Sequence, residues 1–214
     1  MKSKLVIHAE GLFVAGALAL YALGLIAFPI IALFLLGWLS LRVRRLRWRD
    51  VGLRAPSAMF LPLLICATAA VAYQAADIYV LVPMIQRLTG ESLDLTMFST
   101  LRGNVQGFVG SLVVSWSLAA FVEELFFRGY LFNRLSQALG TGAIATVGGL
   151  AASALVFGCA HAYQGATGVV NNLVFGFVLG GLYLAGKKNL WFPILTHGIV
   201  DTIGFLLIFV GLYP

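Results

Sequence analysis

Two adjacent carboxylates, Glu123 and Glu124, lie in the middle of a long apolar stretch, with Arg128 close behind them. A charged group at bilayer depth costs at least ~2.5 kcal/mol, and ionisable residues that persist there mark functional sites. Adjacent acids add mutual repulsion. Three further ionisable residues occupy apolar runs: His161, His197 and Asp201. Helical positions i and i+4 share a face. That spacing predicts a Glu124–Arg128 pair and leaves Glu123, turned away by ~100°, without a partner on its own helix. It also places Phe157 behind His161, and His197 beside Asp201.

These residue types can activate water. Burial next to a second acid suits Glu123 to the role of general base. His161 is a candidate to hold, or help deprotonate, the attacking water. His197 is a candidate donor to a developing oxyanion, with Asp201 orienting it and Glu124 and Arg128 in support. The result is a hydrolase site with no covalent nucleophile. A metal site is the competing version, since Glu123, His161, His197 and Asp201 offer the nitrogen and oxygen ligands that zinc accepts. No His-Glu-x-x-His helix is present, and the sequence leaves both versions open. Each residue alone would also serve as polar glue between helices. Four ionisable groups on three separate segments argue for a site.

The elements that must position these residues are predicted to be membrane helices. Of 214 residues, 61% are hydrophobic and 10% charged, where soluble domains carry about 25% charged residues. Mean hydropathy is +0.98. The apolar runs are continuous rather than alternating, which favours helices over a barrel. The expectation is an all-α, polytopic bundle of about seven spans in a single domain, residues 1–214, with its catalytic core over about 107–214. The first apolar region, Leu5 to Leu41, is long for one span and short for two. Gly24 and Pro29 split it into two short helices joined by a tight turn. Further spans are expected over about Met59–Pro83, Gly107–Leu131, Gly142–Ala162, Val169–Ala185 and Leu190–Leu212. A polar segment, Gln86 to Gln106, forms a loop or short amphipathic piece before the fourth span, and Asn133–Thr141 forms a connector after it. Asp77 falls inside the third span, facing either the bundle or the outer interface. With 1.5 Å rise per residue, Glu123, His197 and Asp201 come to compatible depths of roughly 10–20 Å, whereas His161 comes out near ~25 Å.

Charge distribution orients the bundle. Arg42, Arg44, Arg45, Arg47, Arg49 and Arg54 cluster in one loop. The positive-inside rule makes this a cytoplasmic loop, with the N-terminus inside and the C-terminus outside; binding to nucleic acid is not expected. On the hairpin reading only Arg87 and Arg102 remain on the outer side. The apolar run after Met1-Lys-Ser-Lys4 extends too far for a signal peptide and ends like an anchor. Cys66 and Cys159 fit no disulfide or zinc-ribbon spacing and are expected to be small buried residues. Gly176, Gly180 and Gly181 form a small-residue surface, for packing within the bundle or for an optional oligomer contact. No repeat symmetry of the transporter kind is evident.

Three segments resemble the motifs of the CAAX-protease and bacteriocin-processing family, also called CPBP or Abi. They are Glu123-Glu124-Leu-Phe-Phe-Arg128, Phe157-Gly-Cys-Ala-His161 and His197-Gly-Ile-Val-Asp201. Order and spacing agree from Gly107 onward, and Gly52-Leu-Arg-Ala-Pro56 is a looser match. The resemblance implies an intramembrane endopeptidase acting on a hydrophobic or lipid-anchored peptide or protein in the bilayer. It implies that Glu123 and His161 activate water, that His197 and residue 201 stabilise the oxyanion, and that Glu124 and Arg128 support them. Members are often described as metalloproteases, and a metal-free glutamate mechanism has been argued for the eukaryotic CAAX-processing relatives. Those relatives carry Asn where this chain has Asp201. An ionised Asp cannot donate to an oxyanion, so Asp201 is protonated, orients His197, or binds a metal. The competing functions are an inactive membrane scaffold or regulator of the same fold, and a transporter or proton relay.

Overall fold

In a hydrocarbon solvent the chain must satisfy its backbone hydrogen bonds within each segment, and the apolar runs accordingly coil into helices. The computed structural model describes residues 2–22, 25, 29–56 and 58–213, and these contain helices and turns with no strand. The helices are α1 (Lys2–Ala22), α2 (Pro29–Val43), α3 (Phe60–Thr89), α4 (Val105–Leu139), α5 (Gly142–Ala160), α6 (Gly165–Ala185) and α7 (Trp191–Val210). The polytopic helical bundle is therefore borne out. Five of these helices, α3 to α7, are long and apolar enough to cross a membrane. The 15 residues of α2 reach only ~22 Å of the ~30 Å hydrocarbon core, so the first region is two helices of which α2 falls short of a full span. Pro29 opens α2, and Gly24, the other expected breaker, lies outside the described residues.

Two boundaries differ from expectation. α3 continues past Pro83 to Thr89, closed by Gly90 in the left-handed region at φ 73°. The stretch Asn133–Leu139, expected as a connector, extends α4 as helix, and only Gly140 and Thr141 link it to α5. Three of its polar side chains, Asn133, Arg134 and Gln137, find partners at the bundle end. Asn133 donates to the Tyr183 hydroxyl at 2.9 Å and to the carbonyls of Arg128 and Gly129. Arg134 pairs with Glu10 of α1 at 2.6 Å.

α4 is wound in an unusual way. Over Ser115–Glu123 and again over Leu125–Phe132 it adopts the wider π-helical pitch. Such turns are rare and concentrate at functional sites. α3 has a similar widened turn at Asp77–Leu81.

An aromatic core stands beside this segment. Phe126, Phe127 and Tyr130 of α4 pack with Phe157 of α5 and Phe175 and Leu179 of α6. α5 and α6 approach closely because glycine lines the contact. A Cβ on Gly158 would come within 2.6 Å of the Val169 carbonyl oxygen, and one on Gly176 within 3.0 Å of Ala154 Cα. Gly176 and Gly180 thus serve packing within the bundle, whereas Gly181 faces open space. Cys66 is buried on α3, and Cys159 is exposed, against the expectation that both are buried.

Candidate active site

Long-range packing brings the scattered ionisable residues together. Glu123, His161, His197 and Asp201 all line one cavity of about 640 Å³. Glu124 stands behind it. Its Oε1 accepts from Arg128 Nη1 at 2.6 Å and from His197 Nδ1 at 2.8 Å, and it is fully buried. Arg128 also donates to the Gly176 carbonyl at 3.1 Å, and its guanidinium lies over the Phe157 ring at 4.6 Å. The expected i, i+4 pair therefore forms despite the widened winding, and its carboxylate reaches further, to α7. Among the described residues Glu123 accepts no hydrogen bond through either oxygen, and its Oε2, like that of Glu124, is buried with no partner.

Each imidazole is held by one nitrogen. His161, at the α5 end, donates from Nδ1 to the Phe157 carbonyl at 2.9 Å; a carbonyl only accepts, so Nε2 is the free nitrogen. The ring packs against Phe157 at 4.7 Å and Tyr163 at 5.8 Å. His197 uses Nδ1 for Glu124, and its Nε2 stands 3.7 Å from Asp201 Oδ2, beyond hydrogen-bonding distance. The same Asp201 oxygen accepts from Ser115 Oγ at 2.6 Å. Glu124, rather than Asp201, makes the close contact that orients His197.

The depth mismatch of His161 has a simple origin. Because α4 runs on to Leu139, Glu123 lies ~24 Å from that end, close to the ~28 Å that separates His161 from Gly142. α7 starts higher: Leu190 packs on Gly129 and its N–H bonds the Gly52 carbonyl at 2.9 Å. His197, seven positions beyond Leu190, thus arrives level with Glu124.

Several lining residues escaped sequence reasoning. Ser115 carried no signal, because its partner is 86 positions away. Tyr163 lay in an apparent turn. Asp77, ambiguous in the sequence, turns into the cavity and is 4% exposed. A free nitrogen on each histidine would suit a metal ligand as well as a proton acceptor. Yet among the described residues no three His, Cys, Asp or Glu side chains are grouped to hold a metal ion.

Fold and site define a polytopic helical membrane protein whose bundle buries acids and imidazoles around one cavity. Residues 105–203, which carry all three motifs, match the family model described as type II CAAX prenyl endopeptidase Rce1-like. The CAAX-protease resemblance is thereby borne out over residues 105–203. No curated protein and no solved structure matches the chain.

Proposed function

We propose that this protein is an intramembrane endopeptidase that hydrolyses a peptide bond in a hydrophobic or lipid-anchored peptide, using water activated by Glu123. The observation that supports it most is a Glu123 carboxylate with no hydrogen-bond partner among the described residues, in a cavity shared with two oriented imidazoles. An unpaired buried carboxylate is costly unless a ligand completes it, and water is the smallest ligand that does. In this reading water donates to Glu123 and to His161 Nε2. Its oxygen attacks the carbonyl carbon while Glu123 takes the proton. His197, held by Glu124, donates from Nε2 to the oxyanion, and a ring carrying both protons satisfies Glu124 and the oxyanion together. The C–N bond then breaks as Glu123 returns the proton to the leaving amine. Asp201, fixed by Ser115, bounds the oxyanion side and is not itself the donor.

We favour the glutamate version over a metal one because, among the described residues, no three His, Cys, Asp or Glu side chains come close enough together to hold one ion, although they share a cavity. The basic end of the bundle is assigned to the cytoplasm, with the N-terminus inside and the C-terminus outside. The test is Glu123→Gln in proteoliposomes carrying a quenched-fluorescence hydrophobic peptide. General-base loss lowers cleavage at least ~100-fold, with the thermal unfolding midpoint in detergent unchanged. Equal cleavage by the variant overturns the assignment. An inactive scaffold of this fold would cleave in neither form.

A further inference from the structure

The cavity has a second polar end that the proposed water chemistry does not use. There the widened turn of α3 presents Asp77, which is 4% exposed. Its Oδ1 accepts from the Tyr73 hydroxyl at a long 3.4 Å. The ion pairs among the described residues join Arg47 to Asp50, Arg128 to Glu124, Arg134 to Glu10, and His197 to Glu124 and Asp201; none reaches Asp77. From α6, Asn171 lines the same cavity, and its Oδ1 is buried with no partner. The phenol rings of Tyr73 and Tyr213 also line the cavity. The donors that face Asp77 are neutral, the Tyr73 hydroxyl and the Asn171 side-chain amide. A buried acid and unpaired carbonyl beside aromatic rings suit a cation that brings several N–H donors.

We propose that the Asp77 end is a recognition subsite for a lysine or arginine side chain of the substrate. The inference rests on the peptidase reading given above and names a specificity of the same cavity. Its position follows from the aromatic rings between the two ends. Tyr73 stacks on Phe175 at 4.6 Å, and Phe175 meets the His197 ring at 5.2 Å. These rings separate the two ends, and at ~3.4 Å rise per residue an extended substrate places the cationic residue a few positions from the bond that is cut. The remainder of the substrate stays apolar, as lipid requires. A peptide with one basic residue near its cleavage point fits this cavity better than a wholly apolar one.

The test is a binding scan that needs no turnover. A fluorescent hydrophobic peptide, with lysine moved stepwise along it and norleucine as the uncharged counterpart, is titrated against Glu123→Gln protein in detergent. The expected result is at least tenfold tighter binding for lysine over norleucine within a narrow window of positions. Asp77→Asn in the same background brings that preference within twofold. A flat scan, or a preference that survives Asp77→Asn, overturns the subsite. Should Asp77→Asn not fold, the scan on Glu123→Gln protein still decides. Cleavage surviving in Glu123→Gln would refute the general base without touching the subsite, and a flat scan would refute the subsite without touching the base.

Discussion

Adjacent glutamates in α4 meet opposite fates. Glu124 is bound twice through Oε1, by Arg128 and His197, while Glu123 has no hydrogen-bond partner among the described residues; the Oε2 of each is buried and unpaired. Removing one member of a fully buried charged set strands the others. Glu124→Ala therefore lowers stability by ~3–5 kcal/mol, read as a lower unfolding midpoint in detergent, whereas Glu123→Gln leaves that midpoint in place. The metal question also belongs to this scale. Chelator-washed protein is expected to retain peptide cleavage with no zinc found by elemental analysis; cleavage that vanishes on washing and returns with zinc would sink the glutamate version. The Glu124–Arg128 pair was legible in the sequence because its spacing is local. The Glu124–His197 and Ser115–Asp201 contacts were not, since their partners lie 73 and 86 positions apart and only the assembled bundle brings them together.

At the scale of helices, apolar run length revealed most of the architecture. The break near Pro29 and the order of α3 to α7 follow from it. Polarity misled at Asn133–Thr141, where Asn133, Arg134, Ser136 and Gln137 suggested a connector. The segment remains helical with Asn133, Arg134 and Gln137 satisfied by Tyr183, Glu10 and Arg44 from other elements. The π winding of α4 carries no compositional mark at all. Close glycine contacts make the α5–α6 pair sensitive to a single methyl group. Gly158→Ala drives a Cβ toward the Val169 backbone, and such overpacking costs ~1–3 kcal/mol. Gly181→Ala, one face away in open space, leaves the unfolding midpoint unchanged or raises it. Thermal unfolding of the two variants in one detergent checks the contrast.

Across the whole molecule, basic groups gather at one end. Arg54 donates to the carbonyls of Lys187 and Lys188, Lys188 reaches Asn133, and Arg44 reaches Gln137. At the other end, the Arg102–Gly103 turn lies against the end of α7, Gly103 N–H bonding the Phe209 carbonyl at 3.0 Å. This polarity is the physical basis of the orientation proposed above. With Cys66 and Cys159 replaced by alanine, Lys187→Cys is expected to react with an impermeant maleimide in inside-out vesicles and not in intact cells. Labelling in intact cells would invert the assignment.

The exposure of Cys159 has a practical consequence. It is the accessible one of the two free thiols, Cys66 being buried, and it sits two residues before His161 on the last turn of α5. The native chain thus carries its own attachment point for a spin label or dye, within a helical turn of an imidazole in the cavity wall. Occupancy of the interior by a peptide becomes observable spectroscopically without engineering any residue of the site.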